Sequence, residues 1–245
     1  SLPPYNFIFI NFITFPILLF ILIEAQKKIK TKFYNFLIGW IFGIGYFSSN
    51  IYWIVYSLTF DEIFSSIIPF ALVILPSFLG LFYGLATLII SEFKLKINIS
   101  TILIFSLVFG IIEFFRGNII GGFPWNLIVY SLSDYVNSLQ ILSVIGTYSL
   151  NLILITFFLL PLFFILEKNF KFKLYIIIIL LLAIVSNNFY GSLKIEQNQA
   201  FHKNFNDFKI KIISPKIAIE KFFEENNEGF IINELIELSN PNIEQ

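Results

Sequence analysis

The sequence predicts a mainly α protein: a polytopic transmembrane helix bundle of about six spans, followed by the opening of an α/β domain. Long charge-free apolar runs recur along most of the chain, and the gaps between them alternate between lysine-rich and lysine-poor. The composition agrees, with 57% hydrophobic and 13% charged residues in 245. No soluble domain of this size hides so much apolar surface.

A bilayer core about 30 Å thick is crossed by a helix of roughly 20 apolar residues. Runs of that order lie at Leu2–Ile23, Asn35–Phe60, Ile63–Ser91, Ile97–Ile112, Tyr135–Leu166 and Leu174–Leu193. Pro69 and Pro76 mark possible kinks in the third run, which membrane helices tolerate when neighbours re-satisfy the freed carbonyl. Lys27, Lys28, Lys30 and Lys32 follow the first run, Lys94 and Lys96 the third, and Lys168, Lys171 and Lys173 the fifth. The gap after the second holds only Asp61 and Glu62, and the long gap after the fourth has Arg116 as its one basic residue, with Asp134 before the fifth run. The positive-inside rule then puts the lysine loops in the cytoplasm. Both ends of a six-span chain lie outside, including the tail from Lys194 onward.

Residues 1–193 thus form the membrane bundle, and residues 194–245 a polar extracytoplasmic segment. Within it, Phe208–Ser214 alternates Lys-Ile-Lys-Ile, the period of a half-buried strand, and Pro215 ends it. Glu220–Asn227 and Gly229–Ser239 carry helical patterning, the latter stopped by Asn240-Pro241. One strand and one or two helices are too few for a core of their own.

Zero net charge gives no reason to expect nucleic acid. Cys is absent, which removes disulfides, thiolate metal sites and cysteine nucleophiles within these residues. His202 is the one histidine and has no second ligand beside it, so neither metal nor cofactor is expected. Met is absent too, and Ser1 leads directly into an apolar helix, so the chain is expected to be a fragment or a trimmed product.

The stretch richest in chemical content starts at the end of the fourth run: Glu113-Phe-Phe-Arg116-Gly117, then Gly121-Gly122-Phe123-Pro124-Trp125, then Tyr130. Glu113 and Arg116 are three apart, hence on one helix face. They serve either as a packing salt bridge or as one wall of a polar notch for a lipid head group. The Gly- and Pro-rich loop beyond is too apolar for open water and too irregular for lipid, so protein covers it or it lines a cavity. Trp125 and Tyr130 are interfacial anchors or a lipid-access lip. In the second run, Gly39-Trp40, Gly43-x-Gly45-Tyr46 and Tyr52-Trp53 point to close helix packing flanked by interfacial aromatics.

These segments, in this order, resemble the bacterial apolipoprotein N-acyltransferase family. Gly146-x-Tyr148-Ser149, the strand Ile210–Ser214 with Pro215, and Pro3-Pro4 at the start of the first run, similar to the family's entry into its second membrane helix, continue the likeness. The resemblance implies a multi-pass protein of the bacterial inner membrane with a nitrilase-like (carbon-nitrogen hydrolase) domain on the periplasmic side. It implies a Glu-Lys-Cys triad that takes an acyl chain from a membrane phospholipid as a thioester. The chain then passes to the N-terminal amine of a diacylglyceryl apolipoprotein. A thiolate beside a carboxylate that collects its proton suits that route. The departures matter as much. With no cysteine, these residues are expected to hold no catalytic group and to be inactive alone, with residues 194–245 an incomplete start of the catalytic domain. Where relatives carry Gln-Pro-Asn and then Lys-Trp, this chain has Ser214-Pro215-Lys216 and Lys221-Phe222-Phe223, so Phe223 stands where a substrate-guiding Trp is expected. Two other classes stay open at this point: a small transporter or channel, and a non-catalytic membrane scaffold.

Overall fold

The computed structural model describes residues 2, 6–28, 31–59, 62–96, 98–119, 122–203, 213 and 228–239. Among them, six helical segments are long and apolar enough to cross a membrane: Ile8–Lys28, Lys32–Thr59, Ile68–Ile90, Ile99–Asn118, Thr147–Ile165 and Phe170–Gln199. The first comprises a 3-10 turn (Ile8–Ile10) and α1 (Asn11–Lys28). In the second, α2 (Lys32–Ile51) tightens into a 3-10 helix (Tyr52–Thr59). A single turn, α3 (Glu62–Ser65), leads to α4 (Ile68–Ile90) and α5 (Ile99–Asn118). Another 3-10 turn (Ile128–Leu132) and the short α6 (Val136–Leu139) and α7 (Leu142–Ile145) precede α8 (Thr147–Phe158) and α9 (Leu160–Leu166). The long α10 (Phe170–Lys203) and α11 (Glu228–Ser239) complete the described elements.

The sequence-based bounds shift for identifiable reasons. The run Tyr135–Leu166 is not one helix, because Gly146 takes φ +77°, ψ 166° and separates α7 from α8. A left-handed φ is open to glycine at little cost and ends a helix there. Pro161 then sits in the first turn of α9, where its missing N–H has no intrahelical partner to lose. Pro69 occupies the same position in α4, leaving Pro76 as the interior proline of that span. The fourth span runs past Ile112 to Asn118, so Glu113 and Arg116 are inside the helix. The last continues past Leu193 to Lys203. Helix α11 matches the patterning of Gly229–Ser239; the strand Phe208–Ser214 (Ile213 apart) and Glu220–Asn227 lie outside the described residues.

Small residues bring α2 and α4 together. A Cβ added at Gly43 would stand 2.7 Å from the Cα of Gly80, and one at Gly84 would meet the Phe36 ring at 2.7 Å. Thr87 Oγ1 donates to the Asn35 carbonyl at 2.8 Å, and Trp40 Nε1 to the Ser77 carbonyl at 2.8 Å. Against this pair lies an aromatic core shared with α1 and α5. Phe105 and Phe109 stack at 4.4 Å, and Phe109 meets the edges of Tyr83 (5.2 Å) and Phe15 (6.2 Å). Backbones this close gain dispersion contacts that lipid cannot match.

The two ends of the bundle differ. At the lysine end, Gln26 Nε2 donates to the carbonyls of Ser91 (2.9 Å) and Phe93 (3.0 Å), its Oε1 accepts from Leu95 N (3.1 Å), and Lys32 pairs with Glu92 at 2.7 Å. At the opposite end, Asn6 Nδ2 donates to Asp134 Oδ2 at 2.5 Å. Helix α10 is held there through α6: Asn137 Nδ2 donates to Ser192 Oγ (3.1 Å) and Asn187 Nδ2 to the Ser138 carbonyl (3.1 Å). Gly191 makes room for the Asn137 carbonyl.

The packing analysis gives a paired expectation. Gly43→Leu overfills the α2–α4 contact and costs about 1–3 kcal/mol, whereas Gly45→Ala, with nothing within 4 Å of its Cβ, leaves stability unchanged or higher. Denaturant unfolding in mixed micelles measures both.

Candidate functional site: the Arg116 clamp and the loop it holds

Helix α5 ends two residues beyond Arg116, at Asn118, and the face that carries Glu113 and Arg116 points into the bundle. Glu113 and Arg116 are 0% and 1% exposed. Their i, i+3 spacing lets the guanidinium lie back along the helix, where Nε donates to Glu113 Oε2 at 2.9 Å and Nη2 donates to the same oxygen. The other terminal nitrogen reaches out of the helix. Arg116 Nη1 donates to the carbonyls of Phe123 (2.7 Å) and Trp125 (3.0 Å). Only a planar fork with several fixed N–H directions can serve a carboxylate and two carbonyls together. The cation also rests over the Phe47 ring of α2, 5.2 Å from its centroid, a further favourable contact in a dry setting.

The loop is held from several sides. Phe123 N donates to the Arg116 carbonyl at 3.2 Å, closing the turn after α5. That turn needs a left-handed residue at Gly122 (φ +71°), where a Cβ would stand 2.6 Å from the Gly117 carbonyl oxygen. Asn126 is left-handed as well (φ +60°), and its carbonyl accepts from Tyr46 of α2 at 2.8 Å. Asn151 Oδ1 of α8 accepts from Val129 N at 3.0 Å. Leu127, Ile128 and Val129 are thereby buried to 1% or less.

The outer side of the loop presents aromatics. Trp125 stacks on Trp53 at 5.5 Å, with Phe123 5.4 Å away, and both tryptophans keep more than two-fifths of their surface exposed. Tyr130 stays partly exposed, and burial, with Tyr148 as a lesser cause, pushes its phenol above the usual range, so it is neutral at any physiological pH. The loop is thus pinned by polar groups below and shows an apolar, aromatic rim above.

Of the residues singled out in the sequence, Glu113, Arg116, Phe123 and Trp125 come together here, with Pro124 in the loop between them. Tyr130 lies farther along the same loop, and Phe223 is outside the described residues. Sequence reasoning missed Asn126, Asn151 and Phe47. Tyr46 belongs to a motif whose spacing points to packing, and its hydrogen bond to the loop has no signal in the sequence.

The model of the apolipoprotein N-acyltransferase N-terminal domain matches residues 1–160, so it covers the bundle through α8 and this whole loop. The chain belongs to that family. It is 27% identical over 243 residues to the apolipoprotein N-acyltransferase of Brucella melitensis biotype 1, covering 97% of this chain and 45% of that one. It is 34% identical over 167 residues to the Rhodopseudomonas palustris protein of that name, covering 66% and 30%. With the Rhizobium rhizogenes protein it shares 30% over 167 residues, covering 66% and 31%. The chain spans less than half the length of each of these relatives. Within the residues that match this N-acyltransferase family model, Arg116 is a buried polar centre.

Removing one partner of a buried ion pair strands the other charge and costs about 3–5 kcal/mol, whereas exchanging both for apolar residues of similar volume is often tolerated. Arg116→Ala is therefore expected to destabilise by that amount, and Arg116→Lys to rescue little. Glu113→Leu with Arg116→Met should cost less than Arg116→Ala alone. A double-mutant cycle by denaturant unfolding in micelles reads these values.

Proposed function

We propose that this chain is the membrane domain of an N-acyltransferase that moves an acyl chain from a membrane phospholipid to the N-terminal cysteine amine of a diacylglyceryl apolipoprotein. Residues 1–193 form the bundle, and residues 194–245 begin a nitrilase-like domain that lies on the periplasmic side of the bacterial inner membrane. The single observation that carries the reading is family membership over residues 1–160, with the loop held by Arg116 inside the matched region.

Geometry supports it. The Phe123–Trp125 loop lies at the end of the bundle opposite the lysine loops, and the second half of α10 packs on α6 at that end. In this reading the polar tail follows α10 at the same end of the bundle as the aromatic rim. Trp53 and Trp125 offer flat apolar faces at interface depth, suited to the glycerol and first methylenes of a lipid. In this reading they form a lip over which lipid reaches a catalytic domain above. Acyl transfer itself needs a nucleophile, and with no cysteine among these residues the chain alone forms no thioester. A conduction role has less support, because ion pathways mark themselves with available ionisable groups and here Arg116 and Glu113 neutralise each other.

Fused in frame to the catalytic domain of a relative, the chain is expected to restore triacylated lipoproteins in cells depleted of their own N-acyltransferase, read by mass spectrometry of lipoprotein N-termini. Trp125→Ala in that fusion should lower the rate several-fold. A fusion that inserts and folds yet leaves every lipoprotein diacylated contradicts the proposal.

A further inference from the structure

A cavity lies at the lysine end of the bundle, far from the loop held by Arg116. It encloses about 300 Å³ between α1, the start of α5 and α9, at the lower end of the range of about 300–1,000 Å³ typical of ligand clefts. Its floor is apolar: Leu19, Ile23, Ile102, Leu162 and Phe163, all 8% exposed or less. Its mouth is polar and carries Lys96, Asn98 and Ser100, all exposed.

The charged groups that line the cavity are Lys96 and Glu167, and the local structure leaves Lys96 as the available one. Asn98 caps α5 by accepting from Thr101 N at 2.9 Å, and Thr101 Oγ1 accepts from Lys96 N at 3.2 Å, folding the Lys96 backbone over the helix start. Helix geometry leaves the N–H groups of Ile99 and Ser100 without intrahelical acceptors. Among the described residues Lys96 has no carboxylate partner, unlike Lys27 (with Glu24) and Lys32 (with Glu92). Glu167 also lines the cavity, but its Oε1 accepts from Asn169 N at 2.8 Å, tying it to its own chain. Lys94 and Lys168 flank these lining residues in sequence and add to the local positive potential.

An apolar floor under an unpaired cation, open between spans on the lysine side, is the chemistry of an anionic lipid: acyl chain below, phosphate at the mouth. Basic pockets between membrane helices on that side are favoured by anionic head groups. We propose that this cavity holds one anionic phospholipid of the leaflet facing the lysine loops, with the phosphate at Lys96 and the start of α5 and an acyl chain over Leu162 and Phe163. The site does not depend on the acyl-transfer reading. Its lipid sits at the opposite end of the bundle from the aromatic rim, so it is a bound companion and not the acyl donor.

Native mass spectrometry of the chain released from vesicles of mixed phosphatidylglycerol and phosphatidylcholine tests this. Retention of phosphatidylglycerol over phosphatidylcholine is expected. Lys96→Gln should weaken retention about fivefold, the loss expected for one juxtamembrane charge, and Ser100→Trp at the exposed mouth should abolish it. Lys28→Gln, at the same end but not lining the cavity, should leave retention unchanged. Unfolding temperatures recorded for each variant separate lost binding from lost fold. Equal retention of the two lipids, or equal effects of Lys96→Gln and Lys28→Gln, overturns the proposal. Neither result bears on acyl transfer, which the assay does not read.

Discussion

A full positive charge sits inside this bundle, and much of the outer architecture follows from the need to satisfy it. An arginine at the centre of a membrane helix costs about 2.5–3.5 kcal/mol even on lenient scales, and one nearer the end of a span less. Arg116 offsets that cost through Glu113 and the carbonyls of Phe123 and Trp125, engaging four of its five N–H groups. Those carbonyls belong to irregular, partly buried backbone, where a donor from the protein takes the place of water. Arginine and loop therefore satisfy each other's hydrogen-bonding groups.

The rest of the bundle makes that arrangement rigid. Close contact of α2 and α4 through Gly43 and Gly80 positions Phe47 under the guanidinium and Tyr46 under Asn126. Helix α8 supplies Asn151 from the other side. Three spans thus converge on one loop. The aromatic rim inherits its rigidity from polar contacts beneath it, which lets Trp53 and Trp125 face lipid without being free to collapse into it.

Most of the bundle was legible in the sequence, because a bilayer imposes a continuous apolar length that hydropathy reports directly. The alternation of lysine-rich gaps was equally plain, and the lysine loops do gather at one end, around Gln26, Lys32 and Glu92. Span boundaries were harder. The break at Gly146 rests on one backbone angle within an apolar stretch, and the 3-10 ending of the second span leaves the residue pattern unchanged. At the site, the Glu113–Arg116 pair was visible from its spacing, and so was the interfacial character of Trp125. The carbonyl acceptors were not, since a backbone acceptor has no side-chain signature. Asn151 was hidden for a related reason: a single amide in an apolar helix looks the same whether it packs, pairs with another helix or holds a loop.

Hydrogen exchange of the backbone amides in residues 122–130, compared between the chain and its Arg116→Gln variant in the same micelles, addresses the clamp most directly. Slow exchange across Phe123–Val129 in the parent is expected. The variant should lose that protection locally while amides of α2 and α4 keep theirs, which would separate loop release from unfolding. Unchanged protection of the loop in the variant would contradict the account, because it would mean the loop stands without the arginine.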